Sequence, residues 1–155
     1  MWKAIDYFLK SDKSIPSTLK LHLLDLEVNL ISFKIWRSKE MINLMSSVAN
    51  RNGPNMNESL YFIAEKLFKR TLHQIAFQIT RLTTLLSIEP STSEFVFETM
   101  KEILSSCPDL LYNRNIDQLI ICAIYSNCRA DKEDIMFNTI RKEYEESNPN
   151  LKPLI

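Results

Sequence analysis

The chain has 155 residues, 45% of them hydrophobic and 25% charged, and its 19 basic and 19 acidic side chains cancel. That is ordinary composition for one globular domain with a core of its own. A net charge of zero removes any general pull towards nucleic acid or anionic membranes, and no apolar run approaches the roughly 20 residues of a membrane span.

A single glycine, Gly53, in a chain rich in Leu, Ile, Lys and Glu favours an all-α fold over turn-dense β architecture. The opening Met-Trp-Lys-Ala-Ile-Asp lacks the charged-then-apolar form of a signal peptide. Cys107, Cys122 and Cys128 make an odd count, which fits a reducing compartment better than a disulfide framework.

In chain order, Trp2–Leu9 has apolar residues at 2, 5, 8 and 9 and reads as an amphipathic helix. Pro16 suits a helix start. Ser17–Trp36 reads as one long helix, with Leu19, Leu23, Leu26, Leu30 and Phe33 on one stripe and Leu24, Val28, Ile31 and Ile35 widening it. Ser38 can cap a further helix to about Ala49, with Met41, Ile42, Leu44, Met45 and Val48 inward. Asn50–Asn57 is the only Gly-Pro and Asn-rich stretch and reads as a boundary between two helical units; a β-turn inside one domain is the alternative. Asn57 caps the longest helix, Glu58–Leu86, whose apolar positions run from Leu60 through Ala64, Phe68, Leu72, Ile75, Ile79 and Leu82 in steps of four and three. Glu65 and Lys69 are i,i+4 partners on its wetter side. Ser91-Thr-Ser-Glu94 has the form of a capping box and opens a helix to about Ser105, with Phe95, Phe97, Met100 and Leu104 inward. Pro108 begins a short turn to Tyr112.

Asn115–Arg129 is the most apolar stretch. Ile116 and Leu119–Ile124 leave almost no polar face, so the segment belongs in the middle of a bundle. A strand is the competing reading of so short an apolar run, but helical segments flank it and Asn115 can cap its start. Its far end, Tyr125-Ser-Asn-Cys-Arg129, turns amphipathic, as where a buried helix meets a surface site. Asp131 then caps a helix from about Lys132 to Glu146, and a tail with two prolines follows.

Catalytic chemistry finds no support. His22 and His73 lie on separate helices without ligands at metal spacing, and read as surface histidines. Cys122 reads as a small core residue with no activating base. Nucleotide-binding and zinc-protease motifs are absent, and no cofactor or metal is expected. Lys66, Lys69 and Arg70 form the densest basic spot: a solvated helix face first, a protein-docking surface next, nucleic acid a poor third.

Three segments, in order, resemble the retinoblastoma tumour-suppressor pocket family. N-I-D-Q-L-I-I-C-A-I-Y-S-N-C-R followed by Asp134-Ile-Met-Phe137 is similar to the D-R-x-L-D-Q-x-x-M-C-x-x-Y-x-x-C-K and D-L-x-F segments of pocket B. S-L-Y-F-I-A-E-K-L-F-K-R-T-L resembles the helix that opens pocket B, and W-K-A-I-D-Y-F-L-K, with His22-Leu23, Glu27 and Ile35-Trp36, resembles the last helices of pocket A. The resemblance implies cyclin-like helical folds: residues 1–50 the end of pocket A, 51–57 a shortened spacer, 58–147 the first part of pocket B, and 148–155 a tail. It also implies that most of pocket A and the last helix of pocket B are missing.

The family is a nuclear group of transcriptional co-repressors that control the cell cycle. The resemblance implies a cleft for Leu-x-Cys-x-Glu peptides of viral oncoproteins and chromatin repressors. Tyr125 would line it, Phe137 would pack on the peptide Leu and Cys, and Arg129 would stand at its rim. The peptide Glu would meet backbone N–H groups around Phe137 and Asn138. A second groove would take the activation segment of E2-promoter-binding transcription factors, with Lys3, Asp6, Lys10 and Glu27 from pocket A and Lys66 and Lys69 from pocket B. Plain packing is the other reading for Tyr125 and Phe137. A cyclin-like helical partner of a kinase or of the general transcription machinery, without the peptide cleft, is the alternative function.

Overall fold

The computed structural model describes residues 16–50 and 57–149. The expected helix Trp2–Leu9 lies outside them. Among the described residues the fold is all-α, with six α-helices and two short 3-10 turns. They are α1 (Ser17–Ser32), α2 (Lys39–Ala49), α3 (Glu58–Leu85), α4 (Pro90–Ser106), α5 (Ile116–Ala130) and α6 (Phe137–Ser147).

Side-chain caps fix three helix starts. Ser38 Oγ accepts the Met41 N–H at 3.2 Å, and Asn57 Oδ1 accepts that of Ser59 at 2.9 Å. Asn115 and Gln118 form a reciprocal capping box at the start of α5, in which Gln118 Oε1 accepts the Asn115 N–H at 3.2 Å. Each supplies an acceptor for N–H groups that the first helical turn leaves without one.

Three local expectations are corrected. The helix expected over Ser17–Trp36 stops at Ser32, and Lys34–Arg37 tightens into a 3-10 turn. The cause is Trp36, which is fully buried and whose Nε1 donates to the Ile31 carbonyl at 2.6 Å. A continuing α-helix would hold that carbonyl and place the indole elsewhere. The Ser91–Glu94 capping box does not form, because the helix already starts at Pro90 with Glu89 at its N-cap. Proline at the first helical position carries the right φ and lacks an N–H that would need a partner. Asp131 caps no following helix: it ends α5, and α6 starts only at Phe137.

Helix α5 runs through the centre, against α3, α4, α6 and the end of α1. Ile116, Ile120, Ile121, Ala123 and Ile124 are buried, as its sequence predicts, and so is Cys128, which the sequence placed on the amphipathic end. Cys122 is not a core residue: it is exposed, and Cys128 is the buried thiol. The core continues through Ile42, Met45 and Val48 of α2, Ile75, Ile79 and Leu82 of α3, and Val96, Met100 and Leu104 of α4. Several positions expected inward are open. Leu19, Leu24 and Leu26 of α1 are exposed, and so are Leu60 and Phe95.

Candidate protein-interaction sites

The first site forms where α5 hands over to α6. A Schellman closure ends α5: the Glu133 N–H reaches the Cys128 carbonyl at 2.8 Å and the Lys132 N–H that of Arg129 at 3.3 Å. Lys132 takes the left-handed conformation this needs, at φ 61°. The Asp131 carboxylate accepts from the Thr92 hydroxyl at 2.9 Å, which ties the corner to α4. The chain then doubles back and brings Phe137, the first residue of α6, against Tyr125 on α5. The rings meet edge to face, 5.7 Å between centroids and 88° between planes.

Tyr125 is half-buried and Phe137 sits at the surface, so the pair forms the floor of an open aromatic step rather than part of the closed core. Met136 beside it is 70% exposed. Arg129 lies one turn beyond Tyr125, exposed, and Asn138 is exposed next to Phe137. No side chain caps α6 and its first turn carries no acid. The N–H groups of Phe137 and Asn138 therefore form an uncompensated positive helix end. Behind the step, burial pushes the Cys128 thiol up to about 12, with Glu133 adding to the shift. It is an inert core group.

The second site lies between α1 and α3. A cavity of about 390 Å³ is lined by Leu24, Glu27, Val28 and Ile31 from one side and Lys69, Arg70, His73 and Gln74 from the other. Glu27 and Lys69, far apart in sequence, are thus brought together. Glu27 is paired with Arg70 across the cavity, and Lys69 with Glu65 at 2.9 Å. Lys66 is not part of the lining; its ammonium stands 4.7 Å from the centroid of the Phe62 ring. Lys3, Asp6 and Lys10 lie outside the described residues. His22 and His73 are exposed, in line with the sequence.

Sequence reasoning missed a buried polar knot where α5 begins. Asp117 is fully buried, and Tyr144 of α6 donates to its Oδ2 at 2.8 Å. Burial raises the Asp117 carboxyl above its ordinary value; Tyr144 and then Ser32 pull it back less. The signal was present in outline, as one carboxylate in the first turn of an otherwise apolar helix. Its partner, 27 residues away, was not readable. Among the described residues no three His, Cys, Asp or Glu side chains gather to hold a metal ion, and no helix is long and apolar enough to cross a membrane.

Comparison with known proteins decides the family. The family model described as the retinoblastoma-associated protein B domain matches residues 63–154. The chain belongs to the retinoblastoma family. It is 29% identical over 116 residues to a retinoblastoma-related protein of Camellia sinensis, covering 72% of this chain and 11% of that protein. It is 28% identical over 99 residues to retinoblastoma-like protein 2 of Homo sapiens, covering 64% of the chain and 8% of that protein. Retinoblastoma-like protein 1 of Homo sapiens is 28% identical over 93 residues, 60% of the chain and 8% of that protein. The chain thus spans about a tenth of the length of the curated relatives it matches. The all-α, cyclin-like architecture is that of the retinoblastoma B domain, and both candidate sites include residues of the matched segment.

Proposed function

We propose that the chain is a non-catalytic pocket module of the retinoblastoma type, a nuclear co-repressor scaffold that regulates the cell cycle through two peptide sites. The first is the step formed by Tyr125, Arg129, Phe137 and Asn138, which takes Leu-x-Cys-x-Glu peptides. The observation that carries this reading is the open Tyr125–Phe137 pair at the uncapped start of α6. The aromatic rings receive the apolar Leu and Cys side chains, and the N–H groups of Phe137 and Asn138 receive the peptide carboxylate. Arg129 adds a rim charge that speeds encounter with an acidic peptide more than it deepens affinity.

The second is the groove beside Glu27 and Lys69, with Lys66 at its approach. It takes the acidic and apolar activation segment of an E2-promoter-binding transcription factor. Its charges already have partners within the chain, so an incoming peptide exchanges ion pairs rather than finding bare ones. Specificity and register follow from that exchange more than affinity does. In this reading residues 1–50 are the end of pocket A, 51–57 a shortened spacer, 58–147 the first part of pocket B and 148–155 a tail.

An amide NMR titration of the isotope-labelled chain with a Leu-x-Cys-x-Glu peptide tests the first site. Signals of Tyr125, Arg129 and Phe137 should shift with the intact peptide, and its Cys→Ala form should bind at least about tenfold more weakly for the loss of a buried apolar anchor. A well-dispersed spectrum that ignores both peptides would overturn the reading in favour of a cyclin-like partner without the cleft.

A further inference from the structure

The corner where α2 and α5 both begin shares no residue with either candidate site. The 3-10 turn Lys34–Arg37 and the start of α2 form one side of it. Residues 110–114, which close the 3-10 turn Pro108–Leu111 and lead into α5, form the other. The Asn113 N–H donates to the Trp36 carbonyl at 2.9 Å and joins the two sides. Trp36 is fully buried, so the joint rests on the core. Asn113 stands in the left-handed region at φ 55°, which asparagine tolerates better than most residues.

The corner is basic. Lys34, Arg37, Lys39 and Arg114 are all exposed there, and none of them pairs with a carboxylate among the described residues. Elsewhere Lys69, Arg70, Lys101, Arg141 and Lys142 each face one. The acids adjoining in sequence are Glu40 and Asp109, and Glu40 is engaged by Ser38, whose hydroxyl donates to its carboxylate at 2.6 Å. Positive charge is therefore in excess here, in a chain whose charges cancel overall. The positive ends of α2 and α5 lie at the same corner, so the helix dipoles add to the side chains. Two of the cations are also held in place. The Arg37 guanidinium stands 4.2 Å from the centroid of the Phe33 ring, and the Lys39 ammonium 5.1 Å from that of Tyr112. Attraction to the ring faces restrains side chains that otherwise sweep the solvent, so less entropy is lost when they grip an anion. Arg114 spends one N–H on the Leu110 carbonyl at 3.3 Å and keeps the rest of its fork. Leu110 and Tyr112, 42% and 38% exposed, place apolar surface beside the charges.

We propose that this corner docks an acidic segment of a protein partner, in which carboxylates flank an apolar residue. The carboxylates pair with Arg37, Lys39 and Arg114, and the apolar side chain covers Leu110 and the edge of Tyr112. A single-stranded nucleic acid suits the corner less, because cations already cover the ring faces on which its bases would stack.

The test is an amide NMR titration of the isotope-labelled full chain with the blocked peptide acetyl-Glu-Asp-Leu-Glu-Asp-amide, its Gln/Asn counterpart and an oligothymidylate. The acidic peptide should shift the Arg37, Lys39, Tyr112 and Arg114 signals, its neutral counterpart should not, and added salt should weaken the binding. Joint Lys39→Gln and Arg114→Gln replacement, at exposed positions, should weaken it about tenfold for the loss of two charge contacts. The same loss of charge at Lys20→Gln and Lys142→Gln should leave it unchanged. Tyr112→Leu keeps the apolar surface but frees Lys39, and should weaken binding about threefold. Equal binding of the acidic and neutral peptides, or shifts centred on Glu27 and Lys69, would overturn the proposal. So would tighter binding of the oligothymidylate than of the acidic peptide, which would make the corner a nucleic-acid surface.

Discussion

Helices α1 and α5 are both dense in Leu and Ile, and the molecule treats them in opposite ways. Helix α5 is enclosed by α3, α4, α6 and the end of α1, and six of its side chains from Ile116 to Cys128 are buried apolar groups. In α1 only Ile31 and Ser32 at the last turn are buried, while Leu19, Leu21, Leu24 and Leu26 are 43–62% exposed. Apolar periodicity announces that a face wants covering; the surrounding chain decides whether it is covered. On α1 the sequence wrote a stripe that the described residues do not fill.

The comparison is broken most forcefully by truncating one side chain in each helix. Ile124→Ala removes a fully buried group and leaves a cavity, which costs about 2–5 kcal/mol. Leu21→Ala removes a side chain that is 62% exposed, and such changes stay within about 0.5 kcal/mol. Urea melts of the two variants should therefore differ plainly in midpoint. Similar midpoints would mean that α1 is as well enclosed as α5.

The two helices touch at a polar point, and that point sharpens the comparison. Ser32 ends α1, Asp117 starts α5, and Tyr144 reaches in from α6. Tyr144→Phe deletes the donor to Asp117 Oδ2 in a fully buried setting and should cost about 1–3 kcal/mol. The pH dependence follows from the raised carboxyl. Between its ordinary value of 3.8 and its higher folded value, the native state holds a proton that the unfolded chain has lost. Stability from this group is complete below the lower value, falls as pH rises through the folded one, and is level beyond it. In Tyr144→Phe the window should extend upward, and in Asp117→Asn the slope should vanish, both read from melts across acid to neutral pH.

Much of this was legible. The caps at Ser38, Asn57 and Asn115 were readable because a cap is a local bargain between one side chain and the next turn. So was the buried face of α5, because its apolar run leaves little choice. The readings that failed were helix boundaries, each moved by a residue close by. Trp36 broke the expected helix because its indole reaches the Ile31 carbonyl inside the core. The Ser91–Glu94 box lost its place to a helix that already starts at Pro90, with Glu89 at its N-cap. Asp131 turned from a helix start into a helix end because the backbone beyond it bends left at Lys132. At the candidate sites the aromatic pair followed from resemblance, whereas Glu27 and Lys69 meet only because α1 packs on α3.

The mildest test concerns how the helices finish. Helix α1 runs into Phe33 at φ −140° and ψ −49°, whereas α5 closes through Lys132 in the left-handed region at φ 61°. Helix α3 closes the same way through Ser87 at φ 55°, with the Ile88 N–H reaching the Thr83 carbonyl at 2.9 Å. A side chain with a Cβ is disfavoured in that region, and glycine is not. Glycine also loses more freedom on folding, which offsets part of the gain. Lys132→Gly should then stabilise the chain by about 0.5–1 kcal/mol, and Ser87→Gly by a similar amount. Phe33→Gly at the end of α1, where φ is −140°, has no such relief to offer and should destabilise. Denaturant melts that rank Lys132→Gly and Ser87→Gly above the parent chain and Phe33→Gly below it would tie the sharp turn that brings Phe137 to Tyr125 to the left-handed closure of α5. A loss of stability in Lys132→Gly would mean that the lysine side chain itself holds the corner.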